Sequence, residues 1–175
     1  MSAPQVCLKS RQSRFTRAGK YLLLSCSLLL AGGLPPAVSL SHADTAFLAS
    51  DETLALGLPF SDAVRINDLL VLSGQLGVDP TTFTLVDGGI EAETRQIFSN
   101  MQRILAASAV GLEDIVKCTV MIADIAEWPA FNALYVSYFP GNKPARSAFG
   151  ANGLALGARV ELECWAHSDG MAGTE

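Results

Sequence analysis

The chain has 175 residues, of which 12 are basic, 17 acidic and 50% hydrophobic. Five basic residues and no acidic ones fall before position 44, so residues 44–175 carry a formal net charge of minus 10. Such an acidic domain repels a phosphate backbone, which argues against nucleic acid as a partner unless a local basic groove exists. Residues 44–175 suffice for one domain with its own core, and no internal repeat or low-complexity linker interrupts them.

Residues 1–43 show the order of a secretory signal, a basic stretch followed by an apolar one. The basic stretch contains Lys9, Arg11, Arg14, Arg17 and Lys20. The apolar core, Tyr21–Ala31, is too short to span a bilayer as a stable helix. Because Ser41-His42-Ala43 supplies small residues, we predict cleavage after Ala43 and a periplasmic or secreted domain at residues 44–175, without stable membrane insertion. Two alternatives stay open, lipidation at Cys26 and an uncleaved anchor.

The domain begins with a predicted β-hairpin. Its strands are Ala63–Ile66 and Leu69–Gln75, joined at Asn67-Asp68, two residues that tolerate the positive φ of a tight turn. After a turn at Asp79-Pro80 and a break at Asp87-Gly88-Gly89, apolar residues recur at helical spacing and predict an amphipathic helix of about 18 residues. These apolar residues are Ile90, Ile97, Phe98, Met101, Ile104 and Leu105.

The second half of the domain adds a strand, a helix and two more strands. Ile115–Ala123 is β-branched and nearly uncharged, which predicts a central strand buried on both faces. Pro129 suits the first turn of a second helix, whose aromatic face we expect in the core or at a subunit contact. That face comprises Trp128, Phe131, Leu134, Tyr135 and Tyr138. Strands at Ala145–Phe149 and Ala158–His167 complete the order ββαβαββ, which predicts an α+β fold with two helices on one face of a single sheet.

Two cysteines remain after the leader, Cys118 and Cys164, each on the apolar face of a predicted strand. The simplest interpretation is two buried small hydrophobes. An exported compartment also allows a disulfide if the two strands are neighbours. His167 is the only histidine after the leader, so the sequence predicts no metal site and no Cys/His or Ser/His/Asp nucleophile system.

Candidate functional residues lie in the pentapeptide Lys143–Ser147 and in the segment Val160–Glu163. They place a cation, Arg146, and a carboxylate, Glu161, on two short strands that we expect to be neighbours. The guanidinium group of an arginine can bind a carboxylate through two parallel hydrogen bonds, and a glutamate carboxylate can bind or activate a water molecule. The pair suits hydrolysis of a small carboxylate-bearing substrate. The alternative is that neither residue has a functional role: Arg146 is a solvent-exposed residue beside a turn, and Glu161 lies on the solvent-exposed face of a strand.

Seven short motifs follow one another between residues 50 and 168. They are Leu58–Val64, Ser73-Gly74-Gln75, Asn100, Asp114–Lys117, Asn132 with Tyr135, Pro144–Ser147 and Val160–Glu163. In this order and spacing they resemble the reactive intermediate deaminase (RidA/YjgF) family. The resemblance implies a chorismate-mutase-like fold assembled as a homotrimer, with clefts between subunits. It also implies hydrolysis of imines and enamines derived from amino acids to 2-oxo acids and ammonia, without metal or cofactor.

The resemblance further implies roles for individual residues. Arg146 matches the family's carboxylate-binding arginine, and Glu161 matches its water-positioning glutamate. The residues expected to line the cleft are Phe60, Ser73, Asn132 and, through its backbone carbonyl, Ala148. Phe60 stands where many active members have a tyrosine, and Ala148 where the deaminase subgroup often has a cysteine. An exported imine deaminase is therefore the leading hypothesis. A non-catalytic small-carboxylate-binding protein is the first alternative, and a ribonuclease or translation inhibitor the second.

Overall fold

A computed structural model describes residues 43–167, so the predicted leader and the alternative at Cys26 lie outside the described residues. The described range contains the following helices and strands: β1 Thr45–Leu48, α1 Asp51–Ala55, β2 Ala63–Ile66, β3 Leu69–Leu72, β4 Gln75–Leu76, α2 Gly89–Ala106, β5 Ile115–Ile122, α3 Trp128–Tyr138, β6 Ala145–Gly150 and β7 Val160–His167. The predicted α+β class is confirmed, with β1 and α1 added in front. No helix between residues 43 and 167 is long and apolar enough to cross a membrane.

The hairpin of β2 and β3 turns at Asn67-Asp68, as predicted. Asn67 has a φ of 51°, and Ile66 pairs with Leu69 on either side of the turn. The prediction that the second strand continues to Gln75 is wrong. It ends at Leu72, and the short strand β4 then pairs with β7 instead. The chain therefore bends at the Ser73-Gly74 step, which becomes part of the site described below.

The strands form one mixed sheet in the order β1-β2-β3-β7-β5-β6, with β4 also paired to β7. Strands β5 and β6 run parallel, whereas β5 and β7 run antiparallel. Strand β5 therefore separates β6, which carries Arg146, from β7, which carries Glu161. The expectation that these two strands are neighbours is wrong. Strand β6 forms an edge of the sheet, and all six of its residues are exposed.

The hydrophobic core lies between one face of the sheet and the helices α2 and α3. Helix α2 has the predicted 18 residues and buries Ile97, Phe98 and Met101 completely. The sheet contributes alternate residues of β5 and β7, namely Cys118, Val120, Ile122, Val160, Leu162, Cys164 and Ala166. Burial of each large apolar side chain stabilises the fold by about 1.5 to 3 kcal/mol. Both long helices thus pack on the same face, as predicted.

Strand β5 is not buried on both faces, which corrects the sequence prediction. Val120 is fully buried, whereas Val116 on the other face is 46% exposed. The reason is that, within residues 43–167, no layer covers the sheet face opposite the helices. Phe149 and Trp165 also remain exposed, by 49% and 40%. Exposed apolar residues on an open sheet face are typical of a surface that contacts another chain.

Cys118 and Cys164 form a disulfide. They lie directly opposite each other on β5 and β7, with their Cα atoms 4.1 Å apart and both side chains fully buried. The interpretation as two separate buried thiols is therefore wrong. The alternative that depended on neighbouring strands is correct.

Candidate active site

Arg146 lies on the edge strand β6, and its guanidinium packs against two aromatic rings of α3. The guanidinium carbon is 4.7 Å from the centroid of the Trp128 ring and 4.5 Å from that of Tyr135. The two rings share one face of α3 because they are seven residues, or about two helical turns, apart. Among the described residues, Arg146 makes no ion pair or side-chain hydrogen bond. Its N–H donors are consequently available to a ligand.

Asn132 and Tyr135 present buried polar atoms on this face of α3. Asn132 lies one turn after Trp128 and one turn before Tyr135, so it falls between the two rings. Neither Asn132 Oδ1 nor the Tyr135 hydroxyl has a hydrogen-bond partner in residues 43–167. Burial raises the pKa of Tyr135, so its hydroxyl stays neutral near pH 7. Because a buried unpaired polar group costs about 1 to 3 kcal/mol, such groups commonly mark a site for water, a ligand or another chain.

Ala148 completes this group of residues. It follows Arg146 by two positions on β6 and therefore lies on the same side of the strand. With Trp128 and Pro129 it lines an open apolar recess of about 480 Å³. The structure thus brings together three predicted site residues, Arg146, Asn132 and Ala148. We call Trp128, Asn132, Tyr135, Arg146 and Ala148 the arginine cluster.

Glu161 lies on β7, on the sheet face that points away from the helices. Its neighbours Val160 and Leu162 point into the core. Its carboxylate rests against the bare backbone of Gly74, because a Cβ atom built at Gly74 falls only 2.0 Å from Glu161 Oε1. Burial raises the pKa of the Glu161 carboxyl above its ordinary value, and the negative charge of Glu163 raises it further. A carboxyl with a raised pKa is better matched to proton transfer near neutral pH.

Ser73 and Phe60 both lie near this glycine. Ser73 is adjacent to Gly74 in the chain, and its hydroxyl donates a 2.6 Å hydrogen bond to the carbonyl oxygen of Ser61. Phe60, 50% exposed, lines a cavity of about 90 Å³ together with Gly74 and with Asn100 and Arg103 of α2, and Glu161 does not line this cavity. The structure therefore brings Ser73 and Glu161 together at Gly74, whereas Phe60 lies in a cavity that reaches α2. We call Ser73, Gly74 and Glu161 the glutamate cluster.

The two clusters lie on opposite faces of the sheet. Arg146 pairs in register with Cys118, a core-side residue, whereas Glu161 pairs with Met121, whose side chain lies on the open face. A single chain therefore does not bring the predicted cation and the predicted carboxylate together. In the part of the chain that the structure describes, no group of three or more His, Cys, Asp or Glu side chains is arranged to hold a metal ion.

Comparison with known proteins assigns the chain to a family. Residues 52–168 match the family model described as Endoribonuclease L-PSP. The chain belongs to this family, which includes the RidA/YjgF proteins. The resemblance inferred from the motifs is thereby confirmed, because the matched segment spans all seven of them.

Two relatives and one solved structure show how close the similarity is. This RidA/YjgF chain is 43% identical to the Reactive Intermediate Deaminase A, chloroplastic, of Arabidopsis thaliana, over 63% of this chain but only 58% of that protein. It is 40% identical to the human 2-iminobutanoate/2-iminopropanoate deaminase, over 60% of this chain and 77% of that protein. The crystal structure of the E. coli YjgF gene product shares 28% identity and a TM-score of 0.65, covering 71% of this chain and 99% of that one.

Three members of the clusters, Trp128, Tyr135 and Gly74, were not predicted as site residues. Trp128 was assigned only to an aromatic helix face, because ring spacing alone does not show that an arginine from another strand packs on it. Tyr135 and Gly74 were parts of family motifs without roles of their own. The signal that identifies Gly74 is the absence of a side chain beside the predicted water-positioning Glu161. All three residues of this RidA/YjgF chain contact Arg146 or Glu161 directly.

Proposed function

We propose that this RidA/YjgF-family domain is an enamine/imine deaminase that hydrolyses 2-imino acids derived from amino acids to 2-oxo acids and ammonia. Support comes from relatives of about 40% identity that carry the name 2-iminobutanoate/2-iminopropanoate deaminase. The observation that carries the proposal is the guanidinium of Arg146, which is held on two aromatic rings while its N–H donors stay uncommitted. Such a fork suits bidentate binding of a substrate carboxylate.

The proposed reaction adds water across a carbon–nitrogen double bond. Arg146 holds the carboxylate, and Glu161 accepts a proton from a water molecule whose oxygen attacks the imine carbon. That proton passes to the nitrogen and gives a carbinolamine, which carries a hydroxyl and an amino group on the same carbon. The hydroxyl proton then moves to the amino nitrogen, the carbon–nitrogen bond breaks, and ammonia leaves as the carbonyl of the 2-oxo acid forms. An imine carbon is already electrophilic, so the protein's main contribution is to hold substrate and water in the correct geometry.

A cleft between subunits is the second part of the proposal. The opposite positions of Arg146 and Glu161 on the sheet support it, since a neighbouring chain can bring its glutamate cluster to this chain's arginine cluster. The exposed edge strand β6 and the exposed Phe149 and Trp165 also support it, because they offer an uncovered surface for contact. We therefore infer that each site combines residues of two subunits, and we propose for the assembly the homotrimer that the family resemblance implies.

Export from the cytoplasm is the third part of the proposal. The disulfide between Cys118 and Cys164 supports it, because structural disulfides persist mainly in oxidising compartments. The expected mature chain starts at Asp44 and is periplasmic or secreted. N-terminal sequencing of the protein recovered from a periplasmic extract tests this directly. An N-terminus upstream of Ala43, or recovery only from the cytosol, contradicts it.

The activity is tested with imines generated in situ by an amino-acid oxidase. We expect the purified protein to accelerate their decay and the Arg146→Ala variant to lose that effect. Arg95→Ala is the matched control, because Arg95 is an exposed arginine on α2 outside both clusters. If no imine decays faster but 2-oxo acids still bind, the protein is a small-carboxylate-binding protein, as the absent tyrosine hydroxyl at Phe60 suggests.

Ribonuclease activity, which the family description names, is expected to be absent. The domain carries a formal charge of minus 10 after residue 43, so it repels the phosphate backbone. A salt-dependent RNA-binding assay measures this, and tight binding that weakens steeply with salt contradicts the expectation.

A further inference from the structure

We propose that Trp128 is a positioning residue that holds the guanidinium of Arg146 ready for a carboxylate, with Tyr135 as a second ring surface. The inference rests on the proposed function in that the ligand is a small carboxylate, and it adds a residue for which the family resemblance supplied no role. It concerns how the cation of the site is oriented before the ligand arrives.

The edge position of Arg146 creates the need for such a residue. Its side chain is exposed, on a strand whose six residues are all exposed, so packing from its own strand does little to restrict it. A free arginine side chain carries about 2 kcal/mol of rotamer entropy, much of which is lost when it binds. A contact that restricts the side chain beforehand therefore improves ligand binding without touching the ligand.

The two ring contacts restrict Arg146 without using its donors. Both distances, 4.7 Å to Trp128 and 4.5 Å to Tyr135, lie within the range of a cation–π interaction. The N–H groups of a guanidinium point outward in its plane, whereas stacking involves its flat face. A carboxylate partner would have occupied those N–H groups. In residues 43–167 the rings of Trp128 and Tyr135 are the contacts that hold the Arg146 guanidinium, so its N–H groups remain available to a carboxylate.

Trp128 is the ring that can be changed without loss of the core. Tyr135 is only 3% exposed and packs among Phe98, Phe131 and Phe139, with ring centroids 4.9 to 6.1 Å away. Its removal is expected to disturb the core itself. Trp128 is partly exposed and touches this aromatic group only at Phe131, 5.8 Å between centroids. Tryptophan also gives the strongest cation–π contact of the aromatic residues.

Binding of 2-oxobutanoate to the full chain tests the proposal by calorimetry. Trp128→Leu keeps an apolar side chain but removes the ring, and we expect its Kd to rise roughly 3- to 30-fold. Trp128→Phe restores a ring and is expected to stay within about threefold of the unmodified protein. Phe47→Leu is the matched control, because Phe47 is 74% exposed on β1 at the opposite edge of the sheet. In turnover, Trp128→Leu is expected to raise KM while kcat changes little.

A spectroscopic readout makes the test independent of ligand and of the folding of the Trp128 variants. The Nε–H proton of Arg146, assigned by its absence in Arg146→Lys, is expected upfield of exposed arginines because of the Trp128 and Tyr135 ring currents. An Arg146 resonance at the ordinary arginine position in the unmodified protein overturns the proposal. So does a Trp128→Leu protein with unchanged Kd, or a Trp128→Phe protein that binds as weakly as Trp128→Leu.

Failure of this proposal is distinguishable from failure of the proposed function. A protein that binds 2-oxobutanoate but does not hydrolyse imines refutes the deaminase, while the Kd series still measures the effect of Trp128. A protein with normal turnover, in which Trp128→Leu changes neither Kd nor KM, refutes the positioning role alone.

Discussion

The carboxylate of Glu161 occupies the space that a side chain at Gly74 needs. An ideal Cβ at Gly74 lies 2.0 Å from Glu161 Oε1 and 3.0 Å from its Cδ. Since the φ of Gly74 is not positive, the backbone there accepts other residues, and the glycine is required for space alone. The position of the Glu161 carboxylate in the proposed site therefore depends on the absence of a side chain at Gly74, in the bend after β3.

Gly74→Ala is expected to reduce imine hydrolysis more than stability. The atom that clashes is the end of a flexible side chain, so Glu161 can move away at a cost of less than about 1 kcal/mol of unfolding free energy. That movement displaces the carboxylate from its water, and displacements of this size lower rates by up to about 100-fold. Denaturant unfolding and steady-state kinetics measure the two effects. Gly141→Ala is the control, because a Cβ there meets nothing within 4 Å; equal activity of both variants contradicts the role of Gly74.

The pH dependence of activity is expected to follow the carboxyl of Glu161. The form that activates water is the carboxylate, so activity rises as the pH passes upward through this pKa. Because burial and then Glu163 raise the pKa, the midpoint lies above the ordinary value of 4.5. Glu163→Gln removes the second cause and should shift the acidic limb of the kcat profile to lower pH, but not fully to 4.5 because burial remains. An unshifted limb in that variant assigns the titration to another group.

The same raised pKa predicts a pH-dependent effect on stability. The folded state binds the Glu161 proton more tightly than the unfolded chain does. The protonated carboxyl therefore contributes to stability fully below pH 4.5, and this contribution is lost as the pH rises through the pKa of the folded state. Glu161→Gln, which cannot ionise, is therefore expected to be more stable than the unmodified protein near pH 7. The difference should be under about 1 kcal/mol, because the group is partly exposed and screened. Urea unfolding at pH 4 and pH 7 measures it, and a variant less stable at pH 7 contradicts it.

Sequence patterns predicted the local structure of this domain better than its strand neighbours. The turn at Asn67-Asp68 and the length of α2 follow from residues close in the chain, and both were correct. Alternation along β5 and β7 shows which side chains share a face, but it contains no information on which strands pair. For that reason the Cys118–Cys164 disulfide stayed open, and β6 was wrongly placed next to β7.

The predicted site residues are separated in the structure in a way that the sequence did not indicate. Arg146 and Glu161 were singled out by residue type and spacing, and the other residues by the family resemblance, which the comparison confirmed. Their division into two clusters depends on strand register: Arg146 pairs with the core-side Cys118, and Glu161 with Met121 on the open face. Short motifs cannot show a sheet lying between two residues. The burial of β5 was overestimated for a related reason. An apolar strand has the same composition whether its second face is covered by the same chain or contacts another chain.

The disulfide is expected to stabilise the domain substantially. It links residues 46 apart in sequence, for which the chain-entropy relation gives about 4 kcal/mol of unfolding free energy. Reduction should therefore lower the urea midpoint of the unmodified protein strongly. A double Cys118→Ala, Cys164→Ala variant should show that lower midpoint with or without reductant. If reductant leaves the unmodified midpoint unchanged although free thiols become detectable, the disulfide contributes little to stability.

Mixing two inactive variants tests whether Arg146 and Glu161 of different subunits form one site. Arg146→Ala subunits keep Glu161 and Glu161→Gln subunits keep Arg146, so random mixing in the proposed trimer makes about one cleft in four join two intact residues. Equal co-expression is thus expected to recover roughly a quarter of the unmodified activity, although each variant alone is inactive. The control pairs Arg146→Ala with the Arg146→Ala, Glu161→Gln double variant, which provides no intact arginine and should recover nothing. If differently tagged chains co-purify as mixed trimers without activity, the two residues do not share a cleft.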